Sequence, residues 1–401
     1  MKVPEPWYTE RSNRMSSIQE RDHQYIAGTY ARFPVTIVSG KGSIAVDENG
    51  REYIDMGTGI GVDAFGYGDE QWLSAVEAQL HKVQHTSNLY YTEPAVELAQ
   101  LLCEKTGMSK VFFVNSGAEA NEAAIKAARK YQAEHKGPEY TTIITMKDSF
   151  HGRTLTTLAA TGQEHYHELF QPLTPGFVHA DVNDIDSVKK LVAEHKVAAI
   201  MFECIQGEGG VVDLDPDFIA GIAKIAEEED ILMVVDEVQT GNGRTGKMYS
   251  YMHYGICPDI VSTAKGIGGG LPLAACLLSE KLSGVFGHGD NGTTYGANPV
   301  CCAGGVSVVS RLTDEFMEGV EERSRFIRSK LEGAPGVKGV SGKGLILGIS
   351  TEKPAGEVVQ KCLENGVLCL TAKDKVRLLP ALNIPMDVLE KAVAVICDAC
   401  A

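Results

Sequence analysis

The amino-acid sequence predicts an α/β protein in which a mostly parallel, doubly wound sheet is combined with a smaller α+β domain. Apolar segments rich in β-branched residues alternate with helical patterns from about residue 111 to residue 279, which is the order of β-α-β units. After Pro299 the pattern changes to helices, short strands and glycine-rich turns, and the length of 401 residues exceeds one ordinary hydrophobic core. We therefore predict an N-terminal arm and hairpin (1–60) that forms part of a small domain, a large domain (61–299) and a C-terminal small domain (300–401).

The individual elements follow from local patterns in chain order. Asn49-Gly50 between two alternating segments predicts a hairpin over 43–56, because this dipeptide favours a tight turn. Helical periodicity predicts helices near 70–83 and 94–106. Strands are then predicted at 111–115, 141–145, 198–203, 231–236, 259–264 and 273–279, with helices at 118–135, 184–195 and 216–229. One long helix is predicted from 300 to about 331, before strands at 345–349 and 376–379 and two further helices.

Composition and charge indicate which partners, membrane segments and metal sites are not expected in this protein. A formal net charge of −16 disfavours nucleic acid and anionic membranes as partners, because both bind basic surfaces. No signal peptide is expected at the N-terminus and no segment is long and apolar enough to span a membrane. The ten cysteines lie mostly in apolar segments and the eleven histidines lack metal-ligand spacing. We expect a cytoplasmic protein without a metal site, and Cys397 and Cys400 carry no predicted role.

Two charged residues follow predicted strands that are close in the chain. Asp236 ends the apolar segment 231–236, and Lys265 follows the segment 259–264. Ligands of open α/β sheets bind outside the carboxyl ends of the strands, so both side chains are expected at one site. A buried carboxylate can keep a pyridine nitrogen protonated, and a lysine can form an imine with an aldehyde. These are the two groups that pyridoxal phosphate requires, and the pair therefore predicts a site for this cofactor.

The segment from Asn115 to Asn121 lies between a predicted strand and a predicted helix. Ser116, Gly117 and Ala118 are small residues at the start of that helix, where free N–H groups and the helix dipole favour phosphate. An ordinary capping turn explains the same residues equally well. The phosphate interpretation becomes the better one only beside Asp236 and Lys265.

Three other loops hold candidate binding residues. Phe150 can stack on an aromatic ligand and Arg153 can bind a carboxylate through two hydrogen bonds, although a core phenylalanine and a solvated arginine are the plainer interpretation. Glu208 lies in a tight polar loop and is more simply a turn residue. Thr293 and Thr294 can donate hydroxyls to a phosphate or belong to a turn.

The loop from Gly241 to Lys247 supports a rival hypothesis. It matches the G-x-G-x-x-G pattern of dinucleotide-binding proteins, which would indicate an NAD-dependent oxidoreductase. The pattern is weak here because no apolar helix follows, and a phosphate-binding P-loop is excluded because Met248 replaces the required serine or threonine. A non-enzymatic scaffold is a third hypothesis, but it would be expected to lack Asp236 or Lys265.

Taken together, these segments resemble the class III aminotransferases, which are pyridoxal-phosphate enzymes of fold type I. The resemblance runs from about Thr29 to the C-terminus. The resemblance implies that the sheet of the large domain has seven strands. The motifs that carry it are Ser87-Asn-Leu-Tyr-Tyr-Thr-Glu-Pro, Asn115-Ser-Gly-Ala-Glu-Ala-Asn-Glu, Phe150-His-Gly-Arg-Thr, Gln206-Gly-Glu-Gly-Gly, Asp236-Glu-Val-Gln-Thr-Gly with Gly243-Arg-Thr-Gly, Ser262-Thr-Ala-Lys-Gly and Thr293-Thr-Tyr-Gly-Ala-Asn-Pro.

The resemblance implies a role for each cofactor-binding position. Lys265 would form the imine with pyridoxal phosphate and Asp236 would bond the pyridine nitrogen. The other implied positions are Val238 and Phe150 on the two ring faces, Gln239 at the ring hydroxyl, Ser116, Gly117 and Ala118 at the phosphate, and Thr294 reaching the phosphate of the partner subunit's site. This last role implies a homodimer.

The resemblance also implies how substrates bind. Arg153 would hold a substrate carboxylate, and Arg377 would bind the α-carboxylate of glutamate and 2-oxoglutarate, with Glu208 as its partner. Thr293 would lie beside the substrate, although many relatives have serine there. The segment 378–384 also differs from the sequence that is usual in the family. The implied reaction is a transamination between an amino acid and a 2-oxo acid. N2-acetylornithine with 2-oxoglutarate is expected, and ornithine, succinylornithine, succinyldiaminopimelate and 4-aminobutyrate stay open as donors.

Overall fold

The computed structural model describes residues 17–401, so the first part of the predicted arm lies outside the described residues. Its helices are α1 Ser17–Tyr25, α2 Thr58–Gly61, α3 Glu70–Leu80, α4 Glu93–Thr106, α5 Gly117–His135, α6 Leu155–Ala160, α7 Ile185–Glu194, α8 Pro216–Glu228, α9 Pro299–Ser310, α10 Asp314–Leu331, α11 Ala355–Glu364 and α12 Met386–Cys400. Its strands are β1 Ile37–Lys41, β2 Ile44–Asp47, β3 Glu52–Asp55, β4 Lys110–Val114, β5 Thr142–Met146, β6 Phe177–Ala180, β7 Val197–Phe202, β8 Ile205–Gln206, β9 Val212–Asp213, β10 Leu232–Asp236, β11 Ile260–Thr263, β12 Ala274–Leu278, β13 Val337–Lys343, β14 Ile346–Thr351, β15 Val367–Leu368, β16 Leu370–Ala372 and β17 Lys375–Leu378.

The central sheet has seven strands in the order β4-β12-β11-β10-β7-β5-β6. Strands β11, β10, β7, β5 and β6 are parallel, and β12 alone runs antiparallel to both of its neighbours. Every residue of β7, β10, β11 and β12 is buried, as expected for strands covered on both faces. The predicted α/β class with a mostly parallel seven-stranded sheet is confirmed.

Smaller sheets lie outside the central one. Strands β13, β14, β17 and β16 form an antiparallel sheet, and the predicted hairpin forms the β2–β3 pair. Strand β15 pairs in parallel with β3, so the N-terminal hairpin and the C-terminal part of the chain share one sheet. Helix α9 packs against α3 and α4. The division at residues 60 and 299 stays a prediction.

The single long helix expected after Pro299 is wrong, because two helices occupy this region. Helix α9 ends at Ser310 and α10 begins at Asp314. Thr313 lies between them in an extended conformation, and its hydroxyl accepts a hydrogen bond from the N–H of Phe316. A threonine with this geometry is an N-cap, which starts a new helix.

Within residues 17–401 no helix is both long and apolar enough to cross a bilayer.

Candidate active site

The carboxyl ends of β10 and β11 bring Asp236 and Lys265 to one cavity. The strands pair in parallel, with Asp236 opposite Ser262, and Lys265 follows β11 in a left-handed conformation (φ 52°) that turns the chain away from the sheet. Both residues line a cavity of about 450 Å³. Because small-molecule sites usually enclose several hundred Å³, this volume suits a cofactor with a single aromatic ring.

Hydrogen bonds fix the carboxylate of Asp236 in the wall of this cavity. Its Oδ2 atom accepts from Nδ2 of Asn121 at 2.7 Å and lies 2.8 Å from Nδ1 of His151, and its Oδ1 atom accepts from the N–H of Val238 at 2.9 Å. Asp236 is 3% exposed, and buried carboxylates require such partners. The carboxylate is therefore held in one orientation toward the cavity.

Lys265 provides an amine at the same cavity. Burial of the amine lowers the pKa of Lys265, and the nearby carboxylate of Glu208 offsets part of this effect. The amine forms no ion pair within 4.0 Å with a residue of the described chain. A lysine with a lowered pKa and no partner can act as a nucleophile or as a base.

The other end of the cavity is formed by the start of α5. Ser116 is the N-cap, and its side chain accepts from the N–H of Glu119 at 3.3 Å. Gly117 and Ala118 line the cavity with the first N–H groups of the helix, which have no partner within a helix. A Cβ atom on Gly117 would lie 2.7 Å from Cγ1 of Val238, so this position requires glycine. The geometry suits an anionic group such as a phosphate.

Val238 and Phe150 both line the cavity, and their contact with a flat ring stays a prediction. The N–H of Phe150 donates to Oε1 of Glu203 at 3.0 Å, and the N–H of Gly207 donates to Oε2 of the same carboxyl at 3.2 Å. Burial raises the pKa of Glu203 to about 7, although His151 lowers it in part. Glu203 thus holds the loops that contain Phe150 and Gly207 from a buried position beside Asp236.

Arg377 and Glu208 form an ion pair next to Gln239. Nη1 of Arg377 lies 2.6 Å from Oε1 of Glu208 and donates to Oε1 of Gln239 at 3.1 Å. Nε2 of Gln239 donates to Oε1 of Glu208 at 3.3 Å. Burial raises the pKa of Glu208, but the charge and hydrogen bond of Arg377 outweigh this effect and leave it lowered. Gln239 lines the cavity and connects it to the pair.

Three other predicted site residues, Arg153, Thr293 and Thr294, differ in their position relative to the cavity. Arg153 lines the cavity and is exposed on its open side. Thr293 lies behind the cavity wall, where its hydroxyl accepts from Nδ2 of Asn115 at 3.2 Å. Thr294 is exposed and does not line this cavity, so a single chain does not bring it to its own site.

Sequence reasoning assigned no role to three buried residues that support the site, namely Asn121, His151 and Glu203. Asn121 follows Gly117 by four residues on α5, and this spacing places both on one face of the helix. His151 lies between Phe150 and Arg153 in the same motif, and Glu203 directly follows the buried strand β7. A polar residue at the end of a buried strand is the pattern that could have identified Glu203.

The glycine loop 241–247 has a structural role in this fold. It is followed by a short 3-10 turn, Ser250–His253, rather than by the helix that dinucleotide binding requires. Arg244 within it is buried, and its Nη1 atom donates to the carbonyls of Leu345 at 3.1 Å and Pro380 at 2.5 Å. The loop therefore connects the region after β10 to the segments around β14 and β17.

The chain is similar to known proteins of one family. The model of the family "Aminotransferase class-III" matches residues 25–400. The chain is 46% identical to acetylornithine aminotransferase of Haemophilus ducreyi, over 94% of this chain and 97% of that protein. It is similar to the crystal structure of N-acetylornithine aminotransferase from Stenotrophomonas maltophilia, with a TM-score of 0.81, 31% identity, and coverage of 95% of this chain and 97% of that one. It is also similar to ornithine aminotransferase from Toxoplasma gondii, a structure with partial occupancy of pyridoxal phosphate (PLP) at its active site, with a TM-score of 0.91, 29% identity, and coverage of 96% and 95%.

Proposed function

The chain belongs to the class III aminotransferases, and from that premise we propose that it transfers the δ-amino group of N2-acetyl-L-ornithine to 2-oxoglutarate. The products are N-acetyl-L-glutamate 5-semialdehyde and L-glutamate, which is a step of arginine biosynthesis. The observation that carries the proposal is the shared cavity of Asp236 and Lys265. The acetylornithine aminotransferases to which the chain is 38–46% identical over most of its length support the choice of donor.

Class III aminotransferases depend on pyridoxal phosphate, and the residues of this cavity fit that cofactor. The first turn of α5 would hold the phosphate, and Asp236 would hold the protonated pyridine nitrogen. Val238 and Phe150 would contact the two faces of the ring, with Gln239 near its hydroxyl. When bound, pyridoxal phosphate supplies an electron-accepting ring that stabilises negative charge on the substrate carbon next to the amine.

Lys265 is the group that would move the proton in this site. Its lowered pKa favours the neutral amine, which can take a proton from the amine-bearing carbon of the substrate. Asp236 would hold the proton on the ring nitrogen, because the carboxylate is fixed by Asn121, His151 and the N–H of Val238. In the first half of a ping-pong reaction Lys265 would remove this proton from the amino donor, and in the second half it would deliver a proton to the corresponding carbon of the 2-oxo acid.

Two arginines would accommodate substrates of different shape. The δ-amine of acetylornithine and the α-amine of glutamate react at the same place, so their carboxylates lie at different distances from it. Arg153 would bind the distant carboxylate of either substrate, and Arg377 would bind the α-carboxylate of glutamate. Glu208 would neutralise Arg377 when acetylornithine is bound, because that substrate has no carboxylate at this position.

A homodimer would complete the site, with Thr294 contributing its hydroxyl to the phosphate in the partner subunit. Thr294 is exposed here and lies next to Tyr295, which is 65% exposed. Leu89 and Tyr91 are 87% and 100% exposed, and Asn88 binds the carbonyls of Thr293 and Gly296. Exposed apolar residues joined to this loop are typical of a surface that another subunit covers.

All ten cysteines are free thiols, which supports the cytoplasm as the compartment of this enzyme.

The proposed reaction is tested with purified protein saturated with pyridoxal phosphate. L-Glutamate formation from 2-oxoglutarate is measured with acetylornithine, ornithine, succinylornithine, succinyldiaminopimelate and 4-aminobutyrate. We expect the highest kcat/KM with acetylornithine; a higher value with any other donor would contradict the proposed substrate.

A further inference from the structure

Arg153 has no hydrogen-bonding or ionic partner among residues 17–401. Its guanidinium instead lies over two aromatic rings, 3.9 Å from the centroid of Tyr166 and 5.5 Å from that of Phe150. An arginine stacked on a ring gains cation–π attraction while its N–H groups, which lie in the guanidinium plane, stay available to a carboxylate. The side chain is therefore held by stacking rather than by a competing anion.

Tyr166 is anchored independently of Arg153. Its ring meets that of Phe150 at 6.1 Å and 74°, an edge-to-face arrangement, and that of His165 at 3.8 Å and 44°. The N–H of Tyr166 donates to the carbonyl of Gln163 at 3.1 Å. Nε2 of the next residue, His167, lies 2.8 Å and 2.7 Å from the carbonyls of Leu158 and Thr161. The tyrosine ring is thus a fixed surface on which the flexible arginine rests.

We propose that Tyr166 is a positioning residue that holds Arg153 in the orientation needed to bind the distant carboxylate of the substrate. This inference rests on the proposed function of the site, in which Arg153 binds that carboxylate. Without the ring, an exposed arginine would have to lose several rotatable states each time a substrate binds. The phenol hydroxyl of Tyr166 forms no hydrogen bond within the described part of the chain, so the ring alone carries this role.

The test compares Tyr166→Leu and Tyr166→Phe in the cofactor-saturated enzyme. Tyr166→Leu is expected to raise the KM for acetylornithine about two- to fivefold with kcat nearly unchanged, which is the scale of one cation–π contact at an exposed site. Tyr166→Phe is expected to behave like the wild type. Tyr140 also lies beside cations, at 5.4 Å from Lys136 and 5.3 Å from Lys196, and neither lysine lines the cavity. Tyr140→Leu is therefore the matched control, with unchanged kinetics expected.

A substrate without the carboxylate separates positioning from general damage. N-acetyl-1,4-diaminobutane keeps the reacting amine and the acetamide of acetylornithine but lacks its carboxylate. Its half-reaction rate should be the same in the wild type and in Tyr166→Leu. An equal loss with both substrates, no loss with either, or failure of Tyr166→Phe to restore the KM would overturn the inference.

The proposed function can fail without deciding this inference. Inactivity of the wild type toward acetylornithine would contradict the proposed function alone. L-Glutamate and L-alanine then provide the same comparison, because only glutamate has a distant carboxylate. Tyr166→Leu should weaken the glutamate half-reaction about two- to fivefold and leave the alanine half-reaction unchanged, and equal effects would again overturn the inference.

Discussion

Arg377 and Glu208 are joined at 2.6 Å, yet the two side chains differ in their access to solvent. The guanidinium is 3% exposed, whereas the carboxylate is 28% exposed. A buried cation without a partner is costly, so Arg377 requires an anion at all times. Glu208 supplies that anion here, and we propose that it moves away when a substrate carboxylate replaces it. The pair would then act as a switch between two classes of substrate.

Replacement of Glu208 by alanine should impair the two half-reactions unequally. In Glu208→Ala, Arg377 has no anion while acetylornithine is bound, but glutamate still provides its own α-carboxylate. We expect a loss of about a hundredfold in the acetylornithine half-reaction, corresponding to about 3 kcal/mol for an unpaired buried charge. The glutamate half-reaction should change by less than about tenfold. Stopped-flow absorbance of the bound cofactor measures both halves, and equal losses would refute the switch.

Replacement of Lys265 by alanine should abolish turnover while the phosphate and ring contacts remain. We expect activity to fall at least 10²–10⁴-fold, the usual effect of losing a proton-transfer group. The cofactor should still co-purify with the protein or bind when added, because Asp236 and the first turn of α5 are unchanged. Lys247→Ala is the matched control, since Lys247 is exposed and outside the cavity. Substantial activity in Lys265→Ala would refute the assignment of this lysine.

The stability of the fold should depend on pH through Asp63. Burial and then the charge of Asp55 raise the pKa of Asp63 to about 6, above the usual 3.8. The folded state therefore keeps this proton between about pH 4 and 6 while the unfolded state loses it, so ionisation destabilises the fold as pH rises through this range. Asp63→Asn should stabilise the protein by about 1–2 kcal/mol at pH 8, after allowance for solvent screening, and by less at pH 5. Thermal unfolding at pH 5 and at pH 8 measures the stability gained in Asp63→Asn. An equal gain at the two pH values would contradict the role assigned to Asp63.

Mixed dimers test whether Thr294 acts in the partner subunit. Thr294→Val alone should weaken cofactor binding, because the hydroxyl to the phosphate is lost. A dimer of one Thr294→Val subunit and one Lys265→Ala subunit would contain one intact site, with Lys265 from the first chain and Thr294 from the second. Co-refolding equal amounts should restore about a quarter of wild-type activity, since half of the dimers are mixed and each has one site. Activity no higher than the mean of the two parent variants would place Thr294 elsewhere.

The fold class and the location of the site could be predicted from the sequence because they depend on local patterns. Buried strands are continuous apolar segments; Asp236 ends one of them and Lys265 follows another. The direction of β12 could not be predicted, because the apolar residues of a short strand carry no information about orientation. The break between α9 and α10 depends on the cap at Thr313, and the strong helical pattern on both sides of Thr313 hides this cap in the sequence.

Local sequence patterns could not predict the contacts between distant segments of the chain. His151 is 85 residues from Asp236, and Arg377 is 169 residues from Glu208, so neither pair has a sequence spacing that indicates contact. The second pair was expected only from the family resemblance. The stacking of Arg153 on Tyr166 joins the residues on either side of α6, and their spacing in the sequence does not indicate this contact. The functional roles of the site residues stay predictions until the variants are measured.

The visible spectrum of the purified protein tests at once whether the cavity binds pyridoxal phosphate and which donor reacts there. We expect a yellow absorbance band from bound pyridoxal phosphate, which acetylornithine bleaches and 2-oxoglutarate restores in the same sample. Bleaching by ornithine or 4-aminobutyrate but not by acetylornithine would contradict the proposed substrate and preserve the chemistry of Lys265. Absence of the band after addition of pyridoxal phosphate would contradict the assignment of the cavity itself.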